Sequence, residues 1–221
     1  MLYSRSSTME NDDDVPTLSA ETLKALEEFH RQQETDLLNF SKLGTSGDLP
    51  EVVIDEDWQL SQFWYDSATV KSLVKVVKKS IPIGGRVALI SCPTLFVPLK
   101  KALGDNSTVT LLEYDNRFEI YKPDFIKYDY NEPTEVPDDI RKTYDMVVAD
   151  PPFLAEECIT KTSQTIKLLA KEKIILCTGR VMKNHAERLL NLKICRFEPK
   201  HRNNLANEFA CYANFDLDDV M

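Results

Sequence analysis

From Ser67 onward, short runs of branched and aliphatic residues alternate with stretches whose apolar residues recur at helical spacing. This alternation constrains the fold more than any other feature, because strands joined by helices run parallel and need covering on both faces. Val70, Leu73, Val74 and Val77 form one helical stripe behind a Ser67 cap, with Lys71, Lys75, Lys78 and Lys79 opposite, and Ile81-Pro82-Ile83-Gly84-Gly85 stops it. Strands are expected at Arg86–Ser91, Thr108–Glu113, Phe125–Tyr128, Tyr144–Ala149, Lys173–Thr178, Lys193–Phe197 and Glu208–Phe215. Helices are expected from Pro93 to Gly104, Glu156 to Ala170 and Val181 to Leu190. Only Glu198–Asn207 separates the last two strands, too little for a helical crossover, so they should pair antiparallel. The expected fold is an α/β sheet of seven strands, mostly parallel, with an antiparallel C-terminal hairpin and helices on both faces.

Ahead of that pattern, residues 1–16 are polar and acidic and are expected to be a disordered tail. Residues 17–50 read as an N-terminal helix, capped by Ser19 with Leu23, Leu26 and Phe29 on one stripe, followed by a loop around Gly44, Gly47 and Pro50. The main domain then covers 51–215, and 216–221 form an acidic C-terminal tail. The net charge of −9 is mostly terminal: Arg5 against Glu10, Asp12, Asp13 and Asp14 leaves −3, and Asp216, Asp218 and Asp219 add −3. The remaining −3 disfavours nucleic acid only mildly. Five dispersed cysteines and three scattered histidines make neither a disulfide framework nor a metal site and point to a reducing compartment. No apolar run is long enough for a membrane helix, and the start lacks the apolar core of a secretory signal.

The chemistry is concentrated in Asp150-Pro151-Pro152-Phe153, directly after the fourth strand, where open α/β sheets bind ligands. Asp150 and Pro151 each precede a proline and are pushed into extended conformation, and the prolines leave mainly carbonyl oxygens. A fixed carboxylate and a fixed carbonyl can accept two hydrogen bonds from one nitrogen and aim its lone pair at a methyl donor. Phe153 supplies a wall for a planar base or a methylated ammonium. The bland alternative is a rigid turn after a buried strand, and the tetrapeptide alone does not tell an adenine from a lysine. Glu113, ending the second strand, could accept both ribose hydroxyls of a nucleoside, and Asp115 competes for that role. Asp129, beside Tyr130 after the third strand, could accept from an adenine amino group. The first-strand turn, Ser91-Cys92-Pro93-Thr94, lacks the glycines that let a backbone approach a nucleotide. Either the small Ser91 and Cys92 suffice, or Gln59, Ser61 and Gln62 in the aromatic segment Trp58–Tyr65 contribute.

Seven strands with a final antiparallel hairpin resemble the Rossmann-like methyltransferases. More specifically, Asp57–Tyr65 (DWQLSQFWY), Leu112–Phe118 (LEYDNRF), Phe125–Pro133 (FIKYDYNEP), Ala149–Cys158 (ADPPFLAEEC), Leu176–Gly179 (LCTG) and Asn204–Phe209 (NLANEF) together resemble the elongation factor 1-alpha lysine methyltransferase 1 family. That family was formerly labelled an N6-adenine-specific DNA methyltransferase because of its Asp-Pro-Pro-[Phe/Tyr] tetrapeptide. The resemblance spans about Leu18 to Phe215 and implies a cytoplasmic, S-adenosylmethionine-dependent enzyme. Its expected substrate is one lysine of the translation factor, methylated up to the trimethyl state, and the enzyme is expected to be a monomer. The missing first-turn glycines belong to the family pattern, and Met9-Glu10-Asn11-Asp12 matches its acidic start, which makes Met9 an expected initiator. Two other functions compete: methylation of adenine N6 in DNA or RNA, and a catalytically inactive fold retained as a binding module. Lys71, Lys75, Lys78 and Lys79, or Arg196, Lys200, His201 and Arg202, are the basic stretches a nucleic acid would need, and lysines opposite an apolar stripe are more often a solvated face.

Overall fold

The computed structural model describes residues 54–203 and 205–221. The expected acidic tail, the helix from Ser19 and the loop at Gly44–Pro50 lie outside the described residues. Strands β1 (Arg86–Ile90), β2 (Thr108–Glu113), β3 (Phe125–Lys127), β4 (Tyr144–Ala149), β5 (Ala170–Gly179), β6 (Lys193–Ile194) and β7 (Phe209–Ala213) form one sheet in the order β3-β2-β1-β4-β5-β7-β6. The first five pair in parallel, and β7 runs antiparallel to both β5 and β6. The expected Rossmann-like sheet with its C-terminal hairpin is present.

Strand alternation divides the core between the two faces. Val87, Leu89, Met146 and Val148 point to the face covered by α1 (Ser67–Ser80) and α2 (Phe96–Leu103), which bring Leu73, Val76, Val77, Phe96 and Leu99. Ala88, Ile90, Val147 and Ala149 point to the other face, against Ile159, Ile166 and Leu169 of α3 (Glu156–Leu169) and Ala186 and Leu190 of α4 (Lys183–Leu190).

Several boundaries differ from the sequence reading, each for a local reason. Asp66, not Ser67, caps α1, because its carboxylate accepts the Thr69 N–H at 2.7 Å. Gly104 does end α2, at φ 71°, which a residue without a Cβ tolerates. Strand β6 stops at Ile194: Cys195 N–H still reaches the Cys211 carbonyl, but the Asp218 carboxylate captures the Arg196 N–H at 2.9 Å and turns the chain away. Residues 216–221 pack back onto the fold. Leu217 is buried, and Lys75 and Lys79 of α1 donate to the Met221 and Val220 carbonyls.

Candidate active site

Four neighbouring strands end on the same edge of the sheet, and each presents one of the expected residues. In spatial order these are Asp129 after β3, Glu113 at the end of β2, Ser91 after β1 and Asp150 after β4. The ladder carries one bond past the ends of β3, β1 and β4: Tyr128 N–H reaches Glu113 O, Ser91 N–H reaches Leu112 O, and Asp150 N–H reaches Ile90 O at 3.0 Å. The strand ends therefore hold the site rigidly, as expected of an open α/β sheet.

These residues line a cavity of about 590 Å³. Gln59, Ser61, Gln62, Ser91, Glu113, Asp129, Tyr130 and the tetrapeptide Asp150-Pro151-Pro152-Phe153 all contribute to its wall, and Asp115 does not. Ser91 sits at φ 54°, so the turn without a glycine adopts the left-handed conformation a glycine would supply. Phe153 is 41% exposed and meets Tyr130 edge-on, with ring centroids 5.8 Å apart. Leu154, which follows, rests against Gly179 at the end of β5, where a Cβ would lie 2.8 Å from a Leu154 methyl.

The two competing carboxylates have different surroundings. Glu113 Oε1 accepts the N–H groups of Tyr114 at 2.9 Å and Asp115 at 3.2 Å, and the Gln62 side chain also favours its ionised form. Burial pushes the Glu113 carboxyl up to about 7 against those hydrogen bonds, with the Asp115 charge adding to the rise. Asp115 is fully engaged: Oδ1 accepts Arg117 N–H, and Oδ2 accepts Gln62 Nε2 at 3.0 Å and Arg117 Nε at 2.8 Å. Burial would raise its carboxyl, but the Arg117 and Gln62 bonds outweigh burial and hold it below the usual range. Gln62 is equally committed, its Oε1 accepting from Asp57 N–H and Arg117 Nη2. Gln62 thus ties the 57–65 segment to the loop after β2.

Asp150 is drawn in at the floor of the cavity. Burial pushes its carboxyl up to about 7, Glu113 adds to the rise, and Tyr65 pulls it down. Tyr65 and His201, to which the sequence assigns no part in the site, also line the wall. They form an isolated antiparallel bridge with ring centroids 5.3 Å apart, and Phe209 stacks edge-on against His201 at 4.5 Å. Burial pushes the His201 imidazole below its ordinary range, so it is neutral near pH 7. Tyr65 stands in the aromatic segment singled out above, and His201 in the basic stretch. Their meeting has no sequence signal, because 136 positions separate them.

A family described as "Probable N6-adenine methyltransferase" matches residues 56–217. EEF1A lysine methyltransferase 1 of Mus musculus is 46% identical over 208 residues, 93% of this chain and 94% of that protein. The chain belongs to the EEF1A lysine methyltransferase 1 family. A protein-lysine N-methyltransferase of Caenorhabditis elegans is 41% identical over 218 residues, covering 94% of this chain and 97% of its own. Among solved structures, a branched-chain polyamine synthase variant from Thermus thermophilus, in complex with N4-aminopropylspermidine and 5′-methylthioadenosine, aligns at a TM-score of 0.54. It shares 13% identity and covers 80% of this chain and 61% of that one, a likeness of fold alone. The chain is therefore a methyltransferase of the protein-lysine N-methyltransferase class. Among the described residues no helix is long and apolar enough to cross a membrane, and no group of three metal-ligating side chains occurs.

Proposed function

We propose that this chain transfers a methyl group from S-adenosylmethionine to a lysine of elongation factor 1-alpha, in the cytoplasm, with Asp150-Pro151-Pro152-Phe153 holding the amine. The observation that carries the reading is the convergence of Asp150, Glu113 and Asp129 on one cavity at the edge of the sheet. The cofactor fits that edge on an observation independent of family. Glu113 is a buried carboxylate on the cavity wall whose two backbone bonds fall on a single oxygen, which suits the paired hydroxyls of a ribose. Glu113 is thus assigned to the ribose and Asp115 to bracing Gln62 and Arg117. Asp129, whose Oδ1 accepts Asn131 N–H at 2.8 Å, keeps Oδ2 for the adenine amino group, with Tyr130 beside it. Gln59, Ser61 and Ser91 complete the wall around the cofactor.

S-adenosylmethionine, when bound, supplies a methyl group on a positive sulfur. The chain's own residues prepare and aim the nucleophile. Asp150 and the Pro151 carbonyl accept two hydrogen bonds from the amine, which directs its lone pair along the line of attack. Phe153 and Tyr130 face the methylated product, and aromatic faces tolerate a trimethylammonium. Free lysine titrates near 10.4 and Asp150 near 7, so a proton transfer between them is uphill by about 4–5 kcal/mol. Asp150 therefore acts mainly by position, and partial desolvation of the ammonium lowers the remaining gap.

The name of the matching family keeps adenine as the second reading, since the same tetrapeptide can hold an exocyclic amine. Tritiated methyl transfer into a cell lysate, with and without nuclease, separates the two. The expected result is one labelled protein band that survives nuclease, appears with purified elongation factor 1-alpha, and disappears with Asp150→Ala. Label lost on nuclease treatment would transfer the assignment to nucleic acid.

A further inference from the structure

Tyr65 is 2% exposed, and its hydroxyl has no hydrogen-bond partner among the described residues. Leaving a buried hydroxyl unmet costs about 1–3 kcal/mol, and a phenylalanine would fill the same space without that cost. The ring is not loosely placed. Asp66 N–H donates to the Lys200 carbonyl at 2.9 Å, Arg202 N–H donates to the Trp64 carbonyl at 2.8 Å, and Lys200 N–H reaches Thr69 Oγ1 at 2.8 Å. Two segments distant in sequence are thus locked on either side of Tyr65, and its ring forms part of the cavity wall together with Asp150.

We infer that Tyr65 is a positioning residue for Asp150, its phenol donating to the carboxylate that receives the substrate amine. This rests on the lysine-methyltransferase reading above. The groups facing the pair are Cys92, Cys177, Glu113 and the neutral ring of His201. None of these competes as a strong donor to Asp150. Burial first, and the Asp150 charge next, push the Tyr65 phenol well above its ordinary range, so it stays protonated and available to donate. The nearby phenol also opposes the rise of the Asp150 carboxyl. In the free protein the two groups fall short of hydrogen-bond alignment, and such bonds commonly tighten when the substrate complex forms. No proton changes hands in this role: the phenol fixes the orientation of the carboxylate and favours its ionised form.

Tyr65→Phe tests the inference in the full-length chain, with purified elongation factor 1-alpha as substrate. The expected result is a fall in kcat of about 10- to 100-fold, the size of a lost hydrogen bond to a charged group, with KM for S-adenosylmethionine within about twofold. The acidic limb of the kcat/KM profile should move to higher pH, because Asp150 loses the group that pulls its carboxyl down. The melting temperature should hold or rise, since an unmet buried hydroxyl has been removed. A purely structural tyrosine gives the reverse, a lower melting temperature with kcat and the pH profile unmoved, and that overturns the inference. A change confined to KM for the protein substrate overturns it as well. Failure of the wild-type chain to methylate the factor sinks the underlying reading instead.

Discussion

At the scale of single residues, the site rests on carboxylates whose surroundings give them different tasks. Glu113 ends β2 and Asp115 stands two positions on, yet the backbone bonds to Glu113 fall on one oxygen at the cavity wall, while Asp115 is enclosed by Arg117 and Gln62. This difference has a pH signature. Glu113 has its carboxyl raised from an ordinary 4.5 to about 7, so its proton must leave before it accepts ribose hydroxyls well. Affinity for S-adenosylmethionine should therefore rise as pH increases through about 7 and level off above it. In the ligand-free protein the sign is opposite for stability: the cost of burying the ionised carboxylate is absent below pH 4.5 and complete above about 7, so stability falls across that window. Calorimetric titrations at several pH values, with Glu113→Gln alongside, check the assignment. The variant should bind more weakly and lose the part of the pH dependence that belongs to residue 113. If its profile superposes on the wild type, Glu113 does not hold the ribose.

At the scale of elements, the end of β5 is what keeps the tetrapeptide in place. Gly179 leaves room for the Leu154 side chain, and Arg180 N–H closes onto the Glu208 carbonyl at 2.7 Å. The glycine is needed for space rather than for a left-handed backbone, since its φ is −60°. Gly179→Ala forces Leu154 to move and carries Phe153 with it, so kcat should fall several-fold while the melting temperature drops little. Leu154 is a flexible side chain, which is why the main effect is on alignment and not on stability. Adding Leu154→Ala should bring the double variant to the activity of Leu154→Ala alone. Activity unchanged in Gly179→Ala would show that this contact does not hold the active loop.

At the scale of the whole molecule, the two ends of the described chain close the fold. The segment after β7 looks like a charged tail in sequence, because its aspartates dominate. Leu217 nevertheless lies 1% exposed in the core that covers α1, and Asp218 stops β6 by capturing Arg196 N–H. Leu217→Ala should cost about 2–4 kcal/mol, which corresponds to roughly 5–15 °C in melting temperature for a domain of this size. A free tail would lose nothing in the same thermal scan. The 56–65 segment is bound in a similar way: the Glu56 carboxylate accepts from Trp64 N–H, Trp58 Nε1 and Asn203 Nδ2, tying it to the loop before β7.

The order of strands and helices, the antiparallel hairpin and the position of Asp150 after β4 were legible in the sequence, because period-2 and period-3.6 apolar patterns and proline restraints act over a few neighbouring residues. Glu113, Asp129 and Asp150 could be singled out for the same reason, each at or just past the end of a strand on the ligand edge. Pattern alone left Glu113 and Asp115 equal, and only the folded chain, by bringing Gln62 and Arg117 onto Asp115, separated them. Likewise the pairing of Tyr65 with His201, the burial of Leu217 and the raised carboxyls of Glu113 and Asp150 depend on groups far apart in sequence. Burial and long-range contact are properties of three-dimensional packing, and no local run of residues encodes them.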